Sequence, residues 1–198
     1  MVPHDPAKTG LRGRLLALRR DLSAADLAAR SADLSGRIRA DPRWTRARAI
    51  AAFVGVRQEP DTAELLAAAL ADGKQVWLPR LTGPGRMQFW PCSDLATLEP
   101  GRMGLREPAI VGAGVTAPGP AEGVDLMLVP GLGFGSDGAR IGFGAGHYDR
   151  ALASRPRVEL PLLVGVCLAE FLDPFAEVIP MDEHDVRMDA VVTDRGWT

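Results

Sequence analysis

The sequence has 198 residues, 46% hydrophobic and 24% charged, with a formal net charge of −2. For a chain of this length these values suit a globular domain with a sizeable core and exclude a disordered tail and a disulfide-stapled miniprotein, and the two cysteines, Cys92 and Cys167, lie far apart with no CxxC spacing, so neither a zinc site nor a redox pair is expected. No run of ~18 apolar residues could span a bilayer, the start MVPHDPAKTGLRGR lacks an apolar signal core, and no global cationic field is present to hold nucleic acid or acidic lipid.

Residues 8–40 read as two helices. Leu11, Leu15, Leu18 and Leu22 recur at helical spacing, continued by Leu27, Leu34 and Ile38. Ser23, with Asp26 three residues on, is an acidic variant of a capping box. The first helix is therefore expected to end near Asp21, and the second to run from about Ala24 to Arg39, before Pro42. Between Lys8 and Arg48 lie Arg12, Arg14, Arg19, Arg20, Arg30, Arg37, Arg39, Arg43, Arg46 and Arg48. Interleaved with Asp21, Asp26 and Asp33, they read first as a solvated helix face. The sharper alternative is an anion-binding end.

RAIAAFVGV reads as a buried strand followed by the polar turn RQEPD. Asp61 and Thr62 then cap the helix TAELLAAALADG, which Gly73 ends. KQVWLPRL is a second strand, so the unit is βαβ, with a right-handed crossover and parallel pairing. RMQFWPC resembles a short strand, DLATLEPGRMGLREP is rich in turns, and GAGVTAPGPAEG is a surface loop or linker. VDLMLVPGLGF is a third buried strand and IGFGAGHYDRALAS a glycine loop that becomes a helix. ELPLLVGVCL is a fourth strand, and a last one spans about Ala190 to Thr193. The expected fold is α/β, a three-layer α/β/α sandwich with a mostly parallel sheet, residues 1–198 forming one domain. Cys167 reads as a core residue and Cys92 as idle in a polar turn. Both fit the reduced state of a cytoplasmic protein.

Ligands of open α/β sheets bind beyond the carboxyl ends of the strands, which points to the loops RQEPDT, PGLGFGSDGARIGFGAGHYDR and PMDEHD. The second holds seven glycines in the 21 residues from Pro130 to Arg150. Glycine exposes backbone N–H groups and permits positive φ, so such a loop can wrap an anion, with a helix N-terminus behind it. The alternative is a glycine turn packed close to the sheet. Arg140 could neutralise phosphate oxygens, and Asp149 could hold Mg²⁺ or serve as an ion-pair partner or helix cap. Asp182, Glu183, His184 and Asp185 cluster near the end of the chain, Asp185 being a second hard oxygen donor. Glu59 could bind the polar edge of a ring or serve the next helix cap. Lys8 and Arg12 lie one helical turn apart and repel each other unless an anion joins them.

In order and spacing these pieces resemble the 5-formyltetrahydrofolate cyclo-ligase family. The markers are K-x3-R in the first helix, FVGVRQEPDT, GKQVWLPR, LREP, the long and specific LVPGLGFGSDGARIGFGAGHYDR, and HDVRMDAVVT. The resemblance covers nearly the whole chain. It implies a three-layer α/β sandwich that closes 5-formyltetrahydrofolate to 5,10-methenyltetrahydrofolate, with ATP as co-substrate and Mg²⁺, releasing ADP and phosphate. It implies ATP contacts at Lys8, Arg12, Arg140, Ile141, Gly142, Phe143, Gly144, Ala145, Gly146, His147 and Tyr148. Folate contacts are implied at Val54, Glu59 and Phe143 to His147, including Gly144, Ala145 and Gly146, and magnesium contacts at Asp149 and Asp185. No protein nucleophile is required; Lys8, Arg12 and Arg140 would stabilise charge. Small-molecule partners, a cytoplasmic location and a monomer are expected, with neither nucleic acid nor membrane as partner. The chain departs from the family pattern where two tyrosines usually stand (His147-Tyr148), at Gly135 in place of a loop acid, and at Ala145, where Gly or Lys is common. A non-catalytic folate or nucleotide binder is the competing reading.

Overall fold

The computed structural model describes residues 5–198. Helix α1 spans Pro6–Arg20, with the Asp5 side chain accepting from the Ala7 N–H and a proline in the first turn. Helix α2 spans Ala24–Ala40, and Ser23 caps it by accepting from the Asp26 N–H at 3.0 Å. A short α3, Pro42–Arg46, is capped by Asp41. Strand β1 (Ala49–Ala51) leads through a loop to α4 (Ala63–Ala71), and β2 (Gln75–Gly83) and β3 (Arg86–Cys92) form a hairpin. A small ribbon pairs β4 (Glu99–Pro100) with β5 (Arg106–Glu107). Strand β6 (Leu126–Pro130) precedes a second ribbon of β7 (Gly133–Phe134) and β8 (Arg140–Ile141). Helix α5 (His147–Leu152), β9 (Leu162–Val166) and β10 (Ala190–Val192) complete the chain.

The main sheet has the order β10-β9-β6-β1-β2-β3. All pairings are parallel except β2 with β3, which are antiparallel. Period-two alternation sorts the central strands onto two faces. Ile50, Leu126, Leu128, Val164 and Val166 pack with Leu34 and Ile38 of α2, Trp44 of α3 and Leu65 and Leu66 of α4. Ala49, Ala51, Met127, Val129 and Leu163 pack on the other side, with Leu11 and Leu15 of α1 and Ala151 and Leu152 of α5. Two buried cores separated by a sheet make the three layers expected.

Four details depart from the sequence reading. RAIAAFVGV gives only three strand residues. Beyond Ala52 the backbone is captured by Thr62, whose hydroxyl donates to the Phe53 carbonyl at 2.6 Å. VDLMLVPGLGF splits, because β6 ends at Pro130 and the chain turns into the β7–β8 ribbon. Cys92 lies buried in β3, paired opposite Val76, rather than in a polar turn. The basic first helix is not wholly a solvated face: Lys8 and Arg19 are both buried, Arg19 with 2% of its surface exposed.

From β1 the chain winds outward to β2, whereas from β6 it winds the opposite way to β9 and β10. The order therefore reverses between β1 and β6. In doubly wound sheets that reversal opens a crevice at the carboxyl ends of the two strands. The loop after β1 carries Val54 and Glu59; the segment after β6 carries the glycine tract.

Candidate active site

One wall of the crevice is the β1–α4 loop. Gly55 permits its tight return, since a Cβ there would meet the Pro60 carbonyl oxygen at 2.2 Å. Arg57 and Gln58 take positive φ, 51° and 61°. The turn tucks Glu59 inward, leaving it 7% exposed. Its Oε2 accepts from the Val56 N–H at 3.1 Å. Burial pushes the Glu59 carboxyl up to about 6, while Arg19, the Val56 N–H and Arg57 act the other way. Val54 is partly buried against the core beside it.

The opposite wall is the segment from Gly131 to Asp149. Ile141 is buried in β8, and the tract Gly142-Phe143-Gly144-Ala145-Gly146 leads to α5. Gly144 and Gly146 have φ of 96° and 63°, values that only glycine adopts without strain. Arg150 clamps the tract, with Nε donating to the Gly85 carbonyl at 2.9 Å and Nη2 to that of Ala145. Helix α5 has six residues, so it adds little dipole of its own. His147 opens it, half-buried, and burial together with Arg150 lowers its pKa. The Tyr148 hydroxyl is buried without a hydrogen-bond partner, and burial raises its pKa. Its ring meets Phe89 edge-on at 6.3 Å.

The cations close the crevice. Lys8, 6% exposed, donates to Asp182 and Asp185, both at 2.6 Å. Burial disfavours its charge, but the two carboxylates outweigh that and raise its pKa. Arg12, a turn on, diverges from it and donates to the Gly142 carbonyl at 3.0 Å. The repulsion between the two cations is thus relieved by protein groups. Arg140 donates through Nη1 to the Pro130 carbonyl at 3.2 Å and through Nη2 to Asp149 at 2.5 Å; its Nε has no partner. The partner of Asp149 is therefore Arg140. Glu183 and His184 point to solvent, 85% and 79% exposed at their side chains.

Arg19 is a buried polar residue beside this site that the sequence reading did not single out. Its Nη2 donates to the Gly131 carbonyl, its Nε and Nη1 have no partner, and its guanidinium lies 5.6 Å from the Phe143 ring centre and 5.2 Å from that of Phe171. The signal was present: Lys8, Leu11, Leu15 and Arg19 are the buried stripe of α1. Arg19 follows Leu15 by one turn and so shares its face.

Gly135 explains its own departure from the family pattern. A Cβ there would meet Asp137 Oδ1 at 2.4 Å. Asp137 closes the β7–β8 turn by accepting from the Ala139 N–H at 3.0 Å, so the carboxylate arrives from two residues along.

Among the described residues, no group of three or more His, Cys, Asp or Glu side chains could hold a metal. Asp149 and Asp185 each offer hard carboxylate oxygen, and each already pairs with a cation. That donor set suits a magnesium ion carried in on phosphates, which takes one or two carboxylates and keeps its waters. It does not suit a resident all-protein cage.

The fold is that of a doubly wound α/β domain, with buried polar side chains gathered at its switch point. A family model described as the 5-formyltetrahydrofolate cyclo-ligase family matches residues 4–194. The chain is 29% identical to a mouse 5-formyltetrahydrofolate cyclo-ligase, over 96% of this chain and 95% of that protein. It is 35% identical to the Mycolicibacterium smegmatis 5-formyltetrahydrofolate cyclo-ligase, over 75% and 74% of the two chains. The solved structure of the Aquifex aeolicus 5,10-methenyltetrahydrofolate synthetase superposes with a TM-score of 0.79 at 29% identity, covering 96% of this chain and 91% of that one. The chain belongs to the 5-formyltetrahydrofolate cyclo-ligase family. No helix among the described residues is long and apolar enough to cross a membrane.

Proposed function

We propose that this chain closes 5-formyltetrahydrofolate to 5,10-methenyltetrahydrofolate with ATP and Mg²⁺ as the family does, through a phosphorylated formyl group. The observation that carries the reading is the pairing of two unlike walls across one crevice. A desolvated carboxylate, Glu59, lies near enough to Arg19 and Tyr148 to be felt by both, and each of these carries a buried donor without a partner, as does Arg140. Beside them a glycine tract is framed by Lys8 and Arg12.

Glu59 binds the donor edge of the pterin, with Val54 as an apolar wall and Phe143 to His147 over the ring. Lys8, Arg12, Arg140 and the backbone from Ile141 to Tyr148 hold the triphosphate. The formyl oxygen attacks the γ-phosphorus and the bond to the β,γ-bridging oxygen breaks, releasing ADP. N10 then attacks the formyl carbon and gives up its proton, the C–O bond breaks, and phosphate leaves with the amidinium formed. Phosphoryl transfer asks for positioning and charge neutralisation rather than a protein nucleophile. Asp149 and Asp185 would hold the magnesium, which supplies charge neutralisation on the phosphate oxygens. Lys8 reaches a phosphate by exchanging its two carboxylates for it.

Incubation with 5-formyltetrahydrofolate, ATP and Mg²⁺ is expected to produce the methenyl absorbance with one ADP per turnover. Tight binding of both substrates without turnover would instead make the chain a non-catalytic binder.

A further inference from the structure

Phosphoryl transfer makes no use of Arg19 beyond its charge, yet the placement of this residue is costly. A guanidinium removed from water needs its donors satisfied, or it loses several kcal/mol of hydration. Arg19 is 2% exposed, gives one nitrogen to the Gly131 carbonyl and leaves Nε and Nη1 unpartnered. No carboxylate pairs with it among the salt bridges of the described residues; Glu59 is near enough to be felt electrostatically but not in contact. Its cover on the crevice side is Phe143, which stands between Gly142 and Gly144 and is itself 37% exposed. Phe143 also borders Arg57, 6.0 Å from its ring centre. The covering ring thus stands between two glycines, which leave its backbone the widest choice of φ.

We propose that Arg19 is a folate-binding residue that reads the acceptor edge of the pterin whose donor edge Glu59 holds. The inference rests on the folate reading of the crevice and deepens it. A 2-amino-4-oxo ring offers donors at N3 and the 2-amino group, and an acceptor at the adjacent 4-oxo oxygen. A carboxylate matches the first two and a guanidinium the third. Phe143 covers the guanidinium in the ligand-free protein, and its withdrawal with the glycine tract delivers the free N–H groups to the ring.

The test uses the 4-oxo folate and its 4-thioxo analogue, which keeps the N3–H that Glu59 takes and replaces the acceptor oxygen with sulfur, a much weaker acceptor. Calorimetric titration of the wild-type chain is expected to favour the 4-oxo ring by about tenfold, the lower range of a charge-assisted hydrogen bond. Arg19→Met is expected to bind the two rings within about twofold of each other, to bind ATP as the wild type does, and to melt higher without ligand because an unpaired buried charge is gone. Retained discrimination in Arg19→Met, or a lower melting temperature with unchanged folate affinity, overturns the proposal. If Arg19→Met does not fold, Arg19→Lys is titrated instead. Its ammonium on a different stem is expected to lose most of the discrimination, and wild-type discrimination there overturns the proposal equally. A wild-type chain that binds neither ring removes the folate reading itself, a different failure from loss of the Arg19 contact.

Discussion

Glu59 shows how a site residue is held at the expense of the fold. Its carboxyl titrates near 6 instead of 4.5, chiefly through burial. The folded state then binds the proton more tightly than the unfolded state, so stability falls as pH rises from about 4.5 through about 6 and stays reduced above. The shift corresponds to about 2 kcal/mol at neutral pH. Glu59→Gln keeps an oxygen to accept from the Val56 N–H and removes the charge. It is expected to melt about 4–8 °C higher than wild type at pH 8, to lose that advantage near pH 4, and to lower kcat/KM for the folate about a hundredfold. A lower melting temperature at pH 8 would refute the buried-charge account. Lys8 is the converse case, a cation satisfied twice over by Asp182 and Asp185. Lys8→Ala is expected to raise KM for ATP at least tenfold and KM for folate less than threefold in steady-state kinetics; equal effects on both would deny it a phosphate role. Lys8 and Glu59 were legible in the sequence because the family motifs carry them, Lys8 in K-x3-R of the first helix and Glu59 in FVGVRQEPDT, and both are buried. Arg19 was not, because its charge assigned it to the surface while its position, four residues after Leu15, assigned it to the core. At such a conflict the helical period outweighs residue type.

The long helices were the most legible elements, since caps are local chemistry: Ser23 before α2 accepts from a first-turn N–H that a helix leaves free, whereas the five-residue α3, capped by Asp41, was not expected from the sequence. Strand ends were less so. Whether RAIAAFVGV continues as a strand depends on Thr62, nine residues from the carbonyl it captures. The parallel register of β6 with β9 likewise depends on residues 36 apart, such as Leu126 and Leu162. The β1–α4 loop makes a sharp prediction at this scale. In Gly55→Ala the new methyl group faces backbone, the Pro60 carbonyl, which cannot rotate away. The expected cost is about 1–3 kcal/mol, with a matching rise in folate KM because Pro60 adjoins Glu59. Gly13→Ala is the control. Gly13 lies exposed in α1, and a methyl group added there would meet nothing within 4 Å, so the change is expected to stabilise by about 0.5–1 kcal/mol. Denaturant melts of the two variants should move in opposite directions; a neutral Gly55→Ala would show the loop free to open.

Across the molecule, the last quarter of the chain ties the site together. Arg14 pairs with Glu177, Lys8 with Asp182 and Asp185, and Arg187 with Asp137, while the Met188 N–H donates to the Gly138 carbonyl at 2.9 Å. The first helix, the turn that precedes the glycine tract and the segment before β10 are therefore joined largely by ion pairs. In the proposed reaction magnesium–ATP would enter by exchange, Lys8 moving its charge from Asp182 and Asp185 to phosphate and leaving Asp185 free for the metal. A ligand at a hundred times its Kd stabilises by about 2.7 kcal/mol, about 5–10 °C for a domain of this size. Wild-type chain saturated with magnesium–ATP is expected to shift by that amount, and by clearly less with ATP and a chelator. In Asp149→Asn the starting temperature falls, because Arg140 loses its ion pair. Measured from that lower start, magnesium–ATP should then give no larger shift than ATP with chelator, while the folate shift is kept. A full magnesium-dependent shift in Asp149→Asn would take Asp149 out of the metal's reach and leave it as the anchor of Arg140 alone.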